Sequence, residues 1–303
     1  MALLRSPNLN SWVSCNPTIR QNTVISMCCP PKKSKRIVGG LSENGRGSRK
    51  CCSCCPRRHF LRAAAGLLPT LPSFASEKDS KSVLNSIHPP RPDWYEEFYA
   101  SAMDKTMRSY EAEIAGYKAE VFANLRGKAE RILEIGVGTG PNLKYYADYP
   151  DALVYGIDPN RKMQKYAQAA AEAAGLPPSN FSFMPAVAEA LPLKDASVDA
   201  VVGTLVLCSV KDVDQALQEV MRVLKPGGLY IFVEHVAAKD GTLLRFVQGM
   251  LDPLQQIVAD GCHLTRHTAT NIARAGFADL HVNQAVLSTT SLINPHVYGI
   301  AYK

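Results

Sequence analysis

A glycine string after a short apolar run is the first place in this sequence where residue types and spacing point to chemistry. Residues 132–140 read Ile-Leu-Glu-Ile-Gly-Val-Gly-Thr-Gly, with glycine at every second position, Gly136, Gly138 and Gly140. Glycine lets the backbone turn tightly and lets a ligand lie against the main chain, because no Cβ intervenes. Glu134 precedes the string and is placed to meet a hydroxyl or ammonium group. The string therefore predicts a strand that stops at a ligand.

The residue after the string argues against a dinucleotide site. The third glycine of a G-x-G-x-x-G fingerprint would fall at position 141, where this chain has Pro141. Proline suits the first position of a following helix, since its missing N–H costs little there. A glycine-rich turn with no ligand stays open as an alternative.

A second acidic residue is placed for a nucleoside. Asp158 closes the next predicted strand, 18 residues after Gly140. In a doubly wound fold, an acidic residue at this point can accept hydrogen bonds from both hydroxyls of a ribose. The alternative is a solvated turn residue before Pro159. Further along, Lys225-Pro226-Gly227-Gly228 supplies the breakers that end a helix before a strand.

Strands and helices alternate along the chain, which predicts an α/β fold with a mostly parallel, Rossmann-like doubly wound sheet and helices on both faces. A long helix is expected from Trp94 to Leu125, with its apolar stripe packed on the sheet, and folding of its first part, Trp94–Met103, over a pocket stays open. The predicted strands are 132–135, 153–157, 181–184, 197–207 and 229–233, and the later helices are 142–149, 161–174 and 212–224.

Taken together, these motifs resemble those of class I S-adenosylmethionine-dependent methyltransferases, over residues 94–303. A closer resemblance is to the methyltransferase-like protein 7 branch, whose members are thiol S-methyltransferases. It rests on four strings: Thr204–Val210, Glu234–Ala238, Asp260–Arg266 and Pro295–Gly299. The resemblance implies a seven-stranded sheet, S-adenosylmethionine as cofactor and a small-molecule acceptor. A more general resemblance to quinone-methylating enzymes also exists.

The resemblance also implies site residues. The expected cofactor-binding residues are Glu134, Gly136, Gly138, Gly140, Asp158, Pro159, Val187, Ala188 and Leu205. Val187 stands where many relatives have an aspartate for the adenine amino group, so here the backbone at Val187 and Ala188 and apolar packing would hold the ring. His235 and Asp260 are the candidates for helping the acceptor lose its proton, with His263 and Arg266 nearby. A structural histidine and a helix-capping aspartate are the alternatives.

The first 76 residues differ in charge from the rest. They hold 12 lysines or arginines and one acidic residue, Glu43, whereas residues 77–303 hold 22 basic and 26 acidic residues. A basic, serine-rich leader with an uncharged start is typical of a plastid transit peptide. Because the remainder is mildly acidic, nucleic-acid binding by the folded part is disfavoured. The predicted organisation is a removable leader at 1–76, a linker at 77–93 and one methyltransferase domain at 94–303.

Within the leader, Arg57-Arg58 and the apolar stretch from Ala63 to Leu71 resemble a twin-arginine export signal. The chain is expected in the chloroplast stroma or on the stromal side of the thylakoid membrane, with the thylakoid lumen as the alternative. Seven of the nine cysteines lie in this leader, and no second ligand cluster has zinc-site spacing, so no metal site is expected.

The relatives named above carry an apolar membrane anchor that this leader replaces, so peripheral membrane association stays open. The leading functional hypothesis is methylation of a small molecule, with a thiol as the first acceptor. Methylation of a prenylquinone or another lipid-like ring is the alternative within enzymes, and a non-catalytic cofactor-binding module is the alternative outside them. The sequence predicts no oligomeric state.

Overall fold

The structure is a computed structural model that describes residues 77–288 and 292–303. The predicted leader, with its cysteine string and Arg57-Arg58, lies outside the described residues. Among the described residues, no helix is both long enough and apolar enough to cross a bilayer.

The described residues form one seven-stranded sheet. Its strands are β1 (Arg131–Ile135), β2 (Leu153–Asp158), β3 (Phe181–Pro185), β4 (Val198–Thr204), β5 (Leu224–His235), β6 (Asp279–Ala285) and β7 (His296–Tyr302). The spatial order is β3-β2-β1-β4-β5-β7-β6, and the first five strands run parallel. Only β7 is reversed, since it pairs antiparallel with both β5 and β6. The predicted mostly parallel sheet is confirmed.

Burial on both faces explains why the central strands read as continuous apolar runs. Successive residues of a strand point to opposite faces. Accordingly Ile132 and Val202 belong to the core on one face of the sheet, whereas Leu133 and Val201 belong to the core on the other. All four side chains are fully buried.

Helices cover both faces, as predicted. They are α1 (Glu77–Ile87), α2 (Asp93–Thr106), α3 (Arg108–Phe122), α4 (Met163–Ala173), α5 (Val213–Val223), α6 (Leu243–Val258) and α7 (Thr268–Arg274). Helices α3 and α4 contribute Ile114 and Ala167 to the core on the Ile132 face. Helices α5 and α7 contribute Leu217 and Ile272 to the core on the opposite face.

The segment expected to be a linker, 77–93, is largely helical in the structure. Residues 77–87 form α1, and the prolines confine the irregular part to the short connection into α2. The long helix expected from Trp94 to Leu125 is also divided, with α2 ending before Met107 and α3 beginning after it. Helix α3 packs on the face of the sheet, where Ile114 joins the core.

The helix expected at 142–149 is reduced to a 3₁₀ turn, Leu143–Tyr145. Asn142, Leu143 and Tyr146 are all completely buried, and Leu143 and Tyr146 pack into the core on the Ile132 face of the sheet. The Lys225–Gly228 string follows the end of α5, as expected, but it lies in β5. The pairing jumps there from Val198↔Leu224 to Ala200↔Leu229, which makes the string a bulge in the strand.

Candidate functional site

A cavity of about 730 Å³ lies where the carboxyl ends of β1, β2 and β4 meet. Ligands of open α/β sheets bind at this edge, in the crevice where the strand order reverses. One wall comes from residues 136–139, 157–159, 186–189 and 204–206, and the opposite wall comes from residues 87–92, α2 and the segment 260–266. The cavity is thus built between the sheet and the α1–α2 region.

The three glycines of the string do different work. All three have positive φ, which L residues rarely adopt. A Cβ at Gly136 would lie 2.7 Å from the Val206 side chain, whereas one at Gly138 would meet nothing closer than 4.0 Å. Both line the cavity. Gly140 does not: its Cβ would lie 3.0 Å from Ala170 and 3.1 Å from the Ala167 backbone, so it is needed for packing against α4.

Asp158 lies where the ribose hypothesis requires it. Its carboxylate lines the cavity and accepts hydrogen bonds from the backbone N–H of Gly138 (3.1 Å) and of Asn160 (2.9 Å). Burial raises the pKa of Asp158 to about 7, although these two hydrogen bonds act to lower it. Each carboxylate oxygen has a second lone pair for a ligand hydroxyl. Pro159 lines the cavity directly after it.

Glu134 was expected to meet the ligand directly, and its side chain does not line the cavity. It lies behind the glycine loop, 1% exposed, where Asn142 Nδ2 donates to Oε1 (2.8 Å) and Tyr146 Oη donates to Oε2 (2.7 Å). Burial raises the pKa of Glu134 to about 7 against these hydrogen bonds. Asn142 in turn accepts from the buried Lys118 ammonium at 2.8 Å. Glu134 therefore supports the loop from behind.

The wall expected to hold an aromatic ring is apolar. Val187 and Ala188 are buried and line the cavity beside Asp158. Leu205, in the turn after β4, also lines it and has φ +55°. One wall thus offers a carboxylate, an apolar surface and glycine backbone without side chains. In that order, these features fit the ribose, the ring and the amino-acid chain of an adenosyl sulfonium.

Asp260 lies on the opposite wall and is already paired. His88 Nε2 lies 3.1 Å from its Oδ1, and Arg91 Nη2 lies 2.7 Å from the same oxygen. Burial would raise the pKa of Asp260, but the hydrogen bond from His88 and the charges of both partners hold it below its ordinary value. The same hydrogen bond raises the pKa of His88. A carboxylate held in this way is a weak proton acceptor, which disfavours Asp260 as a base.

His235 does not reach the cavity. It is 2% exposed, and its Nε2 lies 3.1 Å from Cys262 Sγ, beneath the segment that follows α6. The strand end does face the ligand edge, but the chain after α6 covers the ring. The close approach of the Cys208 thiol and the hydrogen bond with His235 lower the pKa of Cys262, whereas the pKa of Cys208 is raised. Direct proton removal from an acceptor by His235 is therefore not supported.

His263 and Arg266 do line the cavity. The His263 ring is fixed by Asp252, with Nδ1 3.3 Å from Oδ2. Arg266 donates from Nη1 to the Leu207 carbonyl at 2.6 Å, which ties the segment 260–266 to the turn after β4. His263 is thus the better placed of the sequence-derived histidine candidates.

Several cavity residues were missed from the sequence. His88 and Arg91 fell in the expected linker, and Met107 was taken as part of a helix packed on the sheet. Tyr99 and Met103 lie in the stretch Trp94–Met103, for which folding over a pocket was an open alternative. The available signal was the methionine end of the apolar stripe, since unbranched methionines adapt to irregular ligand surfaces.

Comparison with known proteins fits this geometry. Residues 133–232 match the family described as "Methyltransferase domain". The chain is 43% identical to the human thiol S-methyltransferase TMT1A, over 64% of this chain and 81% of that enzyme. It is 38% identical to the rat thiol S-methyltransferase TMT1B, over 65% of this chain and 82% of that enzyme. A UbiE C-methyltransferase of a Caulobacter strain, for ubiquinone and menaquinone biosynthesis, is 35% identical over 39% of this chain and 49% of that enzyme.

Solved structures support the fold. A putative methyltransferase in complex with the Haloferax volcanii Trm112 activator superimposes with a TM-score of 0.52 and 18% identity, over 70% of this chain and 99% of that one. The Bacillus YcgJ protein superimposes with a TM-score of 0.50 and 18% identity, over 62% and 98% of the two chains. With its glycine loop, its Asp158 site and 43% identity over 81% of a thiol S-methyltransferase, the chain belongs to the thiol S-methyltransferase family of S-adenosylmethionine-dependent methyltransferases.

Proposed function

We propose that this enzyme methylates the sulfur of a small, largely apolar thiol. The observation that carries the proposal is the chemistry of the cavity wall opposite the cofactor residues. Tyr99, Met103 and Met107 give that wall an apolar surface. Its carboxylates are engaged: Asp260 by His88 and Arg91, and Glu111 by the Lys118 ammonium at 2.7 and 2.8 Å.

A thiol is the acceptor that needs the least help from such a wall. The sulfonium of S-adenosylmethionine supplies the electrophilic methyl group when the cofactor is bound. The acceptor must offer a thiolate, and a free thiol has a pKa of about 8.5. A small fraction is therefore ionised near neutral pH without any base. The protein then has to align the sulfur and exclude water, for which about 7–11 kcal/mol is available in principle.

His263 is the group we assign to receive the thiol proton. It lines the cavity, and Asp252 orients its ring. A neutral imidazole nitrogen can accept the proton that the thiol loses. Its contribution is expected to be modest, because the acceptor is acidic on its own.

The test is a methyl-transfer assay with labelled S-adenosylmethionine and equal concentrations of an alkyl thiol, a phenol and a quinol. The expected result is transfer to the thiol, with little to the others. His263→Ala should lower kcat/KM more at about pH 6 than at about pH 9, where the thiol ionises unaided. His281→Ala is the control, because His281 is an exposed histidine outside the cavity, and its pH profile should match that of the wild type. Transfer to the quinol alone would contradict the proposal and favour the prenylquinone alternative, which rests on the shorter match to UbiE.

We also propose that the enzyme associates peripherally with a membrane through α6. Six large apolar side chains of this helix are between 56 and 78% exposed: Leu243, Phe246, Met250, Leu254, Ile257 and Val258. They recur at intervals of three and four, so they form one stripe. A helix whose apolar stripe is exposed can bury that stripe at the lipid–water interface. The cavity residues Gln256 and Asp260 lie at the end of this helix, which would place the acceptor entrance near the lipid.

Flotation with phosphatidylcholine vesicles tests the membrane proposal. The double variant Phe246→Ser with Met250→Ser should lose vesicle binding and keep its thermal midpoint. Val286→Ser is a matched control, because Val286 is 74% exposed but lies outside α6. Equal binding by the wild type and the double variant would refute a role for the stripe.

For location, we propose the chloroplast stroma or the stromal side of the thylakoid membrane. The basic, acid-poor composition of residues 1–76 supports this proposal. A fluorescent fusion of residues 1–80 should enter plastids, and a second fusion with Arg57 and Arg58 changed to lysine tests export to the lumen. Retention of the first fusion in the cytosol would overturn the proposal.

A further inference from the structure

Two cysteines and a histidine converge behind the cavity wall. Cys208 follows β4, His235 ends β5 and Cys262 follows α6. All three side chains are buried, and a sulfur or ring nitrogen from each lies within 4.8 Å of those of the other two. The shortest distance, 3.1 Å, joins His235 Nε2 to Cys262 Sγ. Three elements far apart in the sequence thus bring three soft donor atoms to one point.

Ordinary core packing accounts poorly for this cluster. Two buried thiols alone would behave as small apolar groups. A buried imidazole, in contrast, needs partners for both ring nitrogens. His235 Nδ1 has no hydrogen-bond partner, and neither nitrogen of the neighbouring His296 has one. The two rings lie 6.5 Å apart, centre to centre. Among the described residues, three buried ring nitrogens in this region therefore have no hydrogen-bond partner.

The donor set selects the kind of ligand. Two thiolates and one imidazole are soft donors, which favour zinc over magnesium or calcium. Two thiolates would also neutralise a divalent cation, which suits a site shielded from water. In a tetrahedral zinc site the donors lie about 3.5–3.8 Å apart, given bonds of about 2.3 Å to sulfur and about 2.0 Å to nitrogen. The observed spacings, from 3.1 Å up to at most 4.8 Å, bracket these distances.

We propose that Cys208, His235 and Cys262 bind one zinc ion. Its position suggests what it does for the enzyme. Ser209, next to Cys208, lines the cavity, and so do Gly261 and His263 on either side of Cys262. The ion would fasten the segment that carries Asp260 and His263 to the ends of β4 and β5. The proposal concerns metal binding alone and does not depend on which acceptor is methylated.

The test uses the full chain with the seven leader cysteines changed to serine, so that Cys208 and Cys262 are the remaining thiols. The protein is purified under argon without chelators, and its zinc content is measured by mass spectrometry. Cobalt(II) is then titrated, because thiolate ligands give a charge-transfer absorption with this ion. The expected result is one zinc per chain and a cobalt spectrum typical of thiolate ligation.

Single variants locate the site. Cys208→Ser and Cys262→Ser should each weaken zinc binding by more than about 100-fold. His281→Ala is the matched control, because His281 is an exposed histidine on β6 and should leave binding unchanged. Circular dichroism and S-adenosylmethionine binding report whether each variant is folded. The proposal is overturned by absence of zinc and of the cobalt spectrum in folded protein, by binding that survives both cysteine variants, or by a Cys208–Cys262 disulfide in the argon-purified chain.

Discussion

Replacing Asp158 by asparagine should separate stability from cofactor binding. Burial raises the pKa of this carboxyl from 3.8 to about 7. Between these two values the folded protein holds a proton that the unfolded chain has released, so the folded state binds more protons. The free energy of unfolding therefore falls as the pH rises through this window. The wild type carries an internal cost above about pH 7 that the neutral variant lacks.

The size of the effect follows from the shift. Each pKa unit corresponds to about 1.4 kcal/mol, and about two of the three units lie between about pH 5 and about pH 7. The free energy of unfolding of Asp158→Asn, relative to that of the wild type, should thus rise by about 3 kcal/mol as the pH is raised from about 5 to about 8. Against this stands a constant loss of about 1–3 kcal/mol, because asparagine can accept from only one of the Gly138 and Asn160 N–H groups.

Urea unfolding of the cofactor-free proteins across this pH range measures the swing. Asp199→Asn is the control, since the pKa of Asp199 is lowered despite partial burial, by its hydrogen bond from Lys225 and those from the Arg131 and Glu130 backbone. Its stabilising effect is lost only at more acid pH, so its difference from the wild type should stay constant here.

Calorimetry with S-adenosylmethionine completes the experiment. Losing the charged acceptor for the ribose should weaken binding at least tenfold at about pH 8, since a hydrogen bond to a charged group contributes about 1.5–3 kcal/mol. Wild-type affinity should also rise with pH through about 7, and the variant's should not. A stability difference independent of pH, or unchanged cofactor affinity, would refute the assignment of Asp158.

Three further predictions concern other parts of the site. Gly140→Ala should lower the free energy of unfolding by at least about 2 kcal/mol through positive φ and collision with α4, whereas Gly127→Ala, with positive φ in open space, should cost about 1 kcal/mol in the same urea experiment. Lys118→Met should lower the free energy of unfolding by about 3–5 kcal/mol, because it leaves a buried carboxylate network without its cation. Equal urea midpoints of the variant and the wild type would contradict that role. Asp260→Asn should raise the acceptor KM, because it loosens His88 and Arg91 on the acceptor side of the cavity, and should change the cofactor Kd less than Asp158→Asn does; kinetics and calorimetry test the two effects separately.

The sequence by itself determined the parts of this protein that depend on local order along the chain. Alternating apolar runs and helix breakers specify the parallel sheet, because a few consecutive residues decide whether a strand can be buried and where a helix ends. The glycine string and Asp158 could be predicted as site residues for the same reason, because each closes a strand and parallel strands bring their carboxyl ends to one edge.

Only the tertiary structure decided which side chains face the cavity. Glu134 and Gly140 belong to the same string as Gly138, yet neither of them lines the cavity. The Glu134 side chain lies behind the loop, and Gly140 packs against α4. His235 ends a strand at the ligand edge, but the segment after α6 covers it. His88 reaches Asp260 across 172 positions of sequence. Contacts of that separation are set by how the elements pack, which no spacing along the chain records.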